Sequence, residues 1–283
     1  MSNFVLSAFA DEISPKLSEQ IDVLLKTNVR HIELRGIDGK NVSKFTEAES
    51  KEYIKEMEAS GIAVSCMGSP IGKIKIDDPF EPHLDEFKHI LELSQIFKTK
   101  YIRMFSFYYP LENDPEMYFD AVLERWHKFI EAAKGYDVIL LHENEKDIYG
   151  DISSRCHKLL TTINNPKVKA IFDPANFIFS NEGDVFKAYE LLKPYIEYFH
   201  IKDGDTNIGR VVPAGMGEGD VAIILKDAKN SGFKGFLSLE PHLGYFDGLA
   251  AFEKHMDVSK MEKGGPQLFM IAYKALCDIL ENI

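Results

Sequence analysis

Four residues able to bind a hard cation stand at the ends of four successive apolar segments in the second half of the chain. They are Glu143 in DVILLHENE, Asp173 in VKAIFDPANF, His200 in YIEYFHIKDGD and Glu240 in GFLSLEPH. A turn-forming or polar stretch follows each. Three carboxylates and one imidazole make a mixed oxygen–nitrogen donor set. Such a set suits one divalent cation, manganese or magnesium ahead of cobalt or zinc, better than a thiolate-selected metal. The cation would polarise a substrate carbonyl and stabilise the enediolate left when a neighbouring C–H proton is removed. Two carboxylates flanking the substrate carbon can then act as base and acid.

Strand side chains alternate faces, so parity sorts the neighbours. His200 and Lys202 share a face, which places Lys202 over the same cavity to bind a substrate oxygen or phosphate or else to neutralise the carboxylates, while Asp203 faces away and is expected to buttress the following loop. His242 shares parity with Glu240 and is in reach of a substrate, with loop packing as the competing role. His142 opposes Glu143 and is expected to pack behind the wall. Glu33 shares a face with His31 and Arg35; it is read as supporting the site or contacting a substrate hydroxyl, against an ion pair with Arg35 or Arg103. Arg103 and Lys73, the latter in the turn SPIGK, are candidates for an anionic group. Asn176 either caps the turn after Asp173 or contacts substrate. Phe105, Phe107, Tyr108 and Tyr109 line a pocket or join the core, and Trp126 is expected to pack.

These residues need a frame that brings strand ends together. Strand-like segments span Phe4–Phe9, Arg30–Leu34, Ala63–Met67, Tyr101–Phe105, Val138–Glu143, Val168–Asp173, Tyr195–Ile201 and Gly235–Glu240. Between them run stretches such as PHLDEFKHILELSQIF and DVFKAYELLK, with apolar residues at three- and four-residue spacing, and PQLFMIAYKALCDIL closes the chain. Gly61, Gly135 and Gly232 sit where left-handed helix caps are wanted. Eight alternations predict a single-domain (β/α)8 TIM barrel over residues 1–283. An open doubly wound sheet would carry a glycine-rich turn after its first strand, and FVLSAFADEISP has none. Gly244–Gly265 is read as one long irregular connection, a lid or a subunit contact.

The length of 283 residues suits such a barrel, and 45% apolar with 28% charged residues is ordinary for a globular protein. A net charge of −12 argues against a nucleic-acid partner. Cys66, Cys156 and Cys277 fit no metal spacing or disulfide framework and are read as buried thiols. The N-terminus has no basic leader and no stretch approaches a membrane span, so a cytoplasmic location away from membranes is expected.

In the order of SPIGK at 69–73, YIRMFSFY at 101–108, HENE at 142–145, FDPANF at 172–177, HIKDGD at 200–205, GEGD at 217–220 and SLEPH at 238–242, the sequence resembles the xylose isomerase-like barrel superfamily, especially its sugar phosphate isomerase/epimerase branch. The likeness covers nearly the whole chain. It implies that Glu143, Asp173, His200 and Glu240 are the metal ligands, and that Glu143 and Glu240 exchange the proton, as in the related ketose 3-epimerases. Those epimerases often carry Asp-x-x-His after the sixth strand, where this chain has Asp173-x-x-Asn176. An arginine that some of them carry after the histidine ligand is replaced by Thr206, with Arg210 a loose substitute. Endonuclease IV-like relatives need further histidines for three zinc ions, and this chain lacks them. The expected activity is isomerisation or epimerisation of a small sugar, sugar phosphate or polyol-derived ketone, in a protein that is monomeric or a homo-oligomer. The alternatives are a dehydratase of inosose or dehydroshikimate type and a non-catalytic sugar-binding barrel.

Overall fold

The computed structural model describes residues 4–244 and 263–283. Its eight barrel strands are β1 (Val5–Ala8), β2 (His31–Leu34), β3 (Ala63–Met67), β4 (Tyr101–Met104), β5 (Ile139–Glu143), β6 (Val168–Phe172), β7 (Ile196–Ile201) and β8 (Phe236–Leu239). All pair in parallel, each with its chain neighbour, and β1 returns to β8 from Val5↔Phe236 to Ala8↔Leu239. The fold is a closed (β/α)8 barrel. Every strand falls within a residue of the expected segment, because apolar runs bounded by turn residues mark barrel strands clearly.

Among the described residues the helices are α1 (Leu17–Leu24), α2 (Glu47–Ala59), α3 (Phe80–Ile96), α4 (Phe119–Ala132), α5 (Ser153–Ile163), α6 (Pro174–Phe179), α7 (Val185–Leu192), α8 (Val221–Asn230) and α9 (Pro266–Asn282). The sequence read α6 as a turn; Asp173 caps it and Pro174 starts it, so the chain coils as soon as it leaves β6. Gly61, Gly135 and Gly232 take the expected left-handed conformation, with φ of 71°, 92° and 82°. Among the described residues no helix is long and apolar enough to cross a membrane. Most of the Gly244–Gly265 connection lies outside the described residues.

Side chains fill the barrel in layers. Cys66, Tyr101, Leu141, Ile171 and Tyr198 pack together inside it, with Ile139 and Phe236 against them. Above this plug, parity turns Glu33, Arg103, Glu143, Asp173 and His200 toward the mouth formed by the C-terminal strand ends. All five are buried. His142, one residue from Glu143, points outward as expected: its Nε2 lies 3.0 Å from Ser106 Oγ and its ring meets Trp126. Trp126, Phe105 and Phe107 are fully buried. Cys66 and Cys156 are buried, whereas Cys277 is partly exposed on α9 and departs from the expectation.

Candidate metal centre

Glu143 ends β5 and His200 lies on β7, while Asp173 and Glu240 are the first residues past β6 and β8. One donor atom from each lies within 4.8 Å of the other three, and all four side chains are buried. His200 Nδ1 stands 2.9 Å from Glu143 Oε1, 3.2 Å from Glu240 Oε2 and 3.6 Å from Asp173 Oδ2. Ligands bonded to one ion at about 2.1 Å are separated by about 3.0–3.4 Å, so the spacing fits a common cation. Asp173 Oδ2 is buried and accepts no hydrogen bond, although Lys202 Nζ lies 3.1 Å away. The Lys202 ammonium meets the charge of this oxygen, so the donor set and its spacing, not an unmet oxygen, are what fit a metal. The donor set therefore suits a hard divalent ion.

The surrounding side chains fix these four in place. Asn144 and Asp173 form a reciprocal pair, Asn144 Nδ2 to Asp173 O and Asp173 N–H to Asn144 Oδ1, both at 2.9 Å. Asp173 Oδ1 accepts from Asn176 N–H at 2.9 Å, so the cap that the sequence offered to Asn176 belongs to Asp173. Asn176 instead directs its amide to Asn144 O at 2.9 Å and Glu143 Oε1 at 3.3 Å. Glu33 lies beneath His200, both of its oxygens 3.2 Å from Nε2. A carboxylate there fixes the ring and makes Nδ1 a better donor to metal.

Lys202 faces the four-residue group as parity required, with Nζ 2.9 Å from Glu240 Oε2 and 3.1 Å from Asp173 Oδ2, where it neutralises the carboxylates. Arg103 Nη1 lies 3.3 Å from Glu143 Oε2 and 3.8 Å from Glu240 Oε1, and its other nitrogens hold the carbonyls of Gly68 and Ser69. Lys73 pairs with Glu145 at 2.8 Å and sits over the Phe105 ring. His242 Nε2 is 3.5 Å from both Glu12 Oε1 and Glu240 Oε1. Its backbone holds φ at +43°, a conformation that non-glycine residues adopt at a cost, and its N–H donates to Glu12 Oε2 at 2.7 Å. Asp203 faces away as expected and accepts N–H bonds from Gly204, Gly215, Gly217 and Gly219.

The charges are strongly interdependent. Burial alone would depress His200, but Glu143, Glu33 and Glu240 raise its pKa well above the ordinary value. Burial opposes ionisation of Glu240, yet Lys202, His242 and His200 hold its pKa well below the usual range. Lys202 is raised well above normal, its desolvation outweighed by Asp173 and Glu240. Burial raises Asp173. It also lifts Glu12 to about 8 against the pull of Arg35.

Glu12, Asp11, Arg35 and Phe9 form a part of the site that sequence reading missed. Arg35 binds Asp11 through two nitrogens at 2.8 and 3.0 Å, Glu12 at 3.2 Å and Glu240 at 3.1 Å. Phe9 is buried against the His200 ring, with the guanidinium groups of Arg35 and Arg103 over its face. The available signal was the acidic pair Asp11–Glu12 just past β1, the same strand-end pattern as Glu143, Asp173, His200 and Glu240.

The chain belongs to the xylose isomerase-like TIM barrel family, whose model matches residues 21–260. No curated protein matches the chain. Similar solved structures include the probable 3-DHS dehydratase AsbF involved in petrobactin synthesis from Bacillus anthracis, 17% identical with a TM-score of 0.72 over 98% of this chain and 99% of that one. The IOLI protein with a bound zinc atom is 16% identical, with a TM-score of 0.75 over 100% and 99% of the two chains. D-psicose 3-epimerase with D-tagatose from Clostridium cellulolyticum H10 is 15% identical, with a TM-score of 0.74 over 99% of each chain.

Proposed function

We propose that this protein is an isomerase or epimerase of a small polyhydroxylated ketone or aldehyde, moving a proton at the carbon beside the carbonyl. The observation that carries the reading is the four-residue group, Glu143, Asp173, His200 and Glu240, buried and with one donor atom from each within 4.8 Å of the other three. These four residues would hold one divalent cation, manganese or magnesium in preference to cobalt or zinc. The ion, when bound, supplies Lewis-acid polarisation of the substrate carbonyl.

The protein's own groups do the rest. Glu143 and Glu240 come from β5 and β8 and flank the cavity as the proton-transferring pair. Lys202, between Asp173 and Glu240, is placed to donate to a substrate oxygen, and Asn176 and His242 border the same space. Glu33 keeps His200 oriented. Phe9, Arg35 and Arg103 are buried beside the group, and in such surroundings each electrostatic contact is stronger than in water.

The test is elemental analysis of the purified protein followed by a D2O exchange screen over ketoses and inososes. Solvent deuterium appearing at one carbon is the expected result. Glu240→Gln should keep the fold by circular dichroism and lower exchange by roughly 10²–10⁴-fold, the usual scale for a lost acid–base group. Full turnover in that variant would remove the acid–base assignment.

A dehydratase reading has its own support. Asn176 stands where ketose 3-epimerases often have a histidine, and the fold is shared with a probable 3-DHS dehydratase. Here the same proton removal would be followed by loss of a β-hydroxyl, with Lys202 or Glu240 near the departing oxygen. Product mass separates the two, because isomerisation conserves it and dehydration loses one water.

A further inference from the structure

Glu240 faces two clusters at once. Its Oε2 looks into the four-residue group, 3.2 Å from His200 Nδ1 and 2.9 Å from Lys202 Nζ. Its Oε1 looks the other way, into a second group of metal-capable side chains formed with Glu12 and His242, whose donor atoms lie within 4.8 Å of one another. A carboxylate that serves two donor clusters through its two oxygens is how binuclear centres hold ions about 3.5–4 Å apart. In this chain the second cluster contains a guanidinium. Arg35 Nη1 lies 3.1 Å from Glu240 Oε1 and 3.5 Å from His242 Nε2, and its Nη2 lies 3.2 Å from Glu12 Oε1. Two bonds to Asp11 lock the group at its outer edge, and the Phe9 ring lies under its plane.

We infer that Arg35 takes the place of a second cation, so that the centre is mononuclear and Glu240 presents only Oε2 to the metal. Arg35 is thereby a positioning residue, acting through Glu240. A guanidinium suits the task because it is permanently charged and its donors are fixed in a planar fork. Removing it leaves Asp11, Glu12, Glu240 and His242 around the vacated place, three carboxylates and an imidazole that make a donor set for a hard divalent ion, with Arg103 Nη1 at the edge, 3.8 Å from Glu240 Oε1. The inference rests on the four-residue group holding one ion.

The experiment counts manganese bound to the full-length, chelator-stripped protein by equilibrium dialysis and records its electron paramagnetic resonance spectrum. Wild type should bind one Mn²⁺ per chain with the spectrum of an isolated ion. Arg35→Met should bind two, with a spin-coupled spectrum. Arg35→Met/His242→Ala should lose the second ion and the coupling, and Arg35→Lys should remain at one. Two ions in wild type, or a single uncoupled ion in Arg35→Met, overturns the inference while leaving the four-residue metal reading standing. No bound ion in wild type overturns both. Should Arg35→Met fail to fold, the wild-type and Arg35→Lys counts still decide: one ion in each supports the inference, and two in either sinks it.

Discussion

Among single residues, Glu33 shows how much of this site lies one contact away from the chemistry. It is fully buried beneath His200, whose far ring nitrogen lies 3.2 Å from both of its oxygens. Burial opposes its ionisation, but His200 and Arg103 bring its pKa below the ordinary value, so it stands as a carboxylate under the ring. Glu33→Gln keeps the volume and removes the charge. Losing such an outer partner typically costs 10–100-fold in metal affinity, and a loss of about that size is expected in a Mn²⁺ titration of the variant. Unchanged affinity would show that the barrel wall alone orients the ring. At this scale the sequence was informative for the convergence of Glu143, Asp173, His200, Glu240 and Lys202, because strand ends and parity are local properties. It did not reveal Arg35 as the partner of Glu240, since 205 positions separate them and only barrel closure brings β2 and β8 within one strand of each other.

Two element-level devices hold the mouth in shape. Asp203 gathers the loop after β7 by accepting four backbone N–H groups, and that loop leaves the barrel directly after Lys202. A Cβ at Gly217 or Gly219 would come within 2.5 and 2.7 Å of Asp203 Oδ1, so the loop can wrap this carboxylate only with glycine there. Asp203→Ala strands those donors and should cost about 1–3 kcal/mol, read as a lowered denaturation midpoint and faster amide exchange at residues 204–219. The second device is His142 behind β5. Ser106 Oγ accepts the Gly150 N–H at 2.8 Å and has its own proton to give to His142 Nε2. Burial depresses the His142 pKa to about 3. The unfolded chain takes up a proton near pH 6.5 and the folded one does not, so the contribution of this residue to stability is complete above that value and is lost as pH falls below it. Between pH 7 and 5.5 wild type should lose about 1 kcal/mol more than His142→Gln in urea unfolding. Equal losses would show that His142 is protonated in the folded barrel.

For the whole molecule, the centre is dense in charge and depends on compensation. The ammonium of Lys202 and the imidazole of His200 lie against the carboxylates of Glu143, Asp173 and Glu240 and offset their charge. A bound ion should add to the stability of the folded protein. At 100 times its dissociation constant, Mn²⁺ should contribute about 2.7 kcal/mol, seen as a denaturation midpoint several degrees higher than in EDTA. A midpoint indifferent to the ion would mean that it binds elsewhere or not at all. The sequence by itself determined the barrel, its strand positions and the inward set Glu143, Asp173, His200, Glu240 and Lys202. Apolar runs, turn residues and the two-residue period of a strand are local signals, and in a closed barrel they suffice to say which side chains face the axis. Tertiary structure alone decided what those side chains meet there. It put Glu33 beneath His200, gave the cap after β6 to Asp173 and set Arg35 against the outer oxygen of Glu240. Pairing between charged groups on distant strands depends on distances of a few ångströms, and these exist only once the barrel has closed.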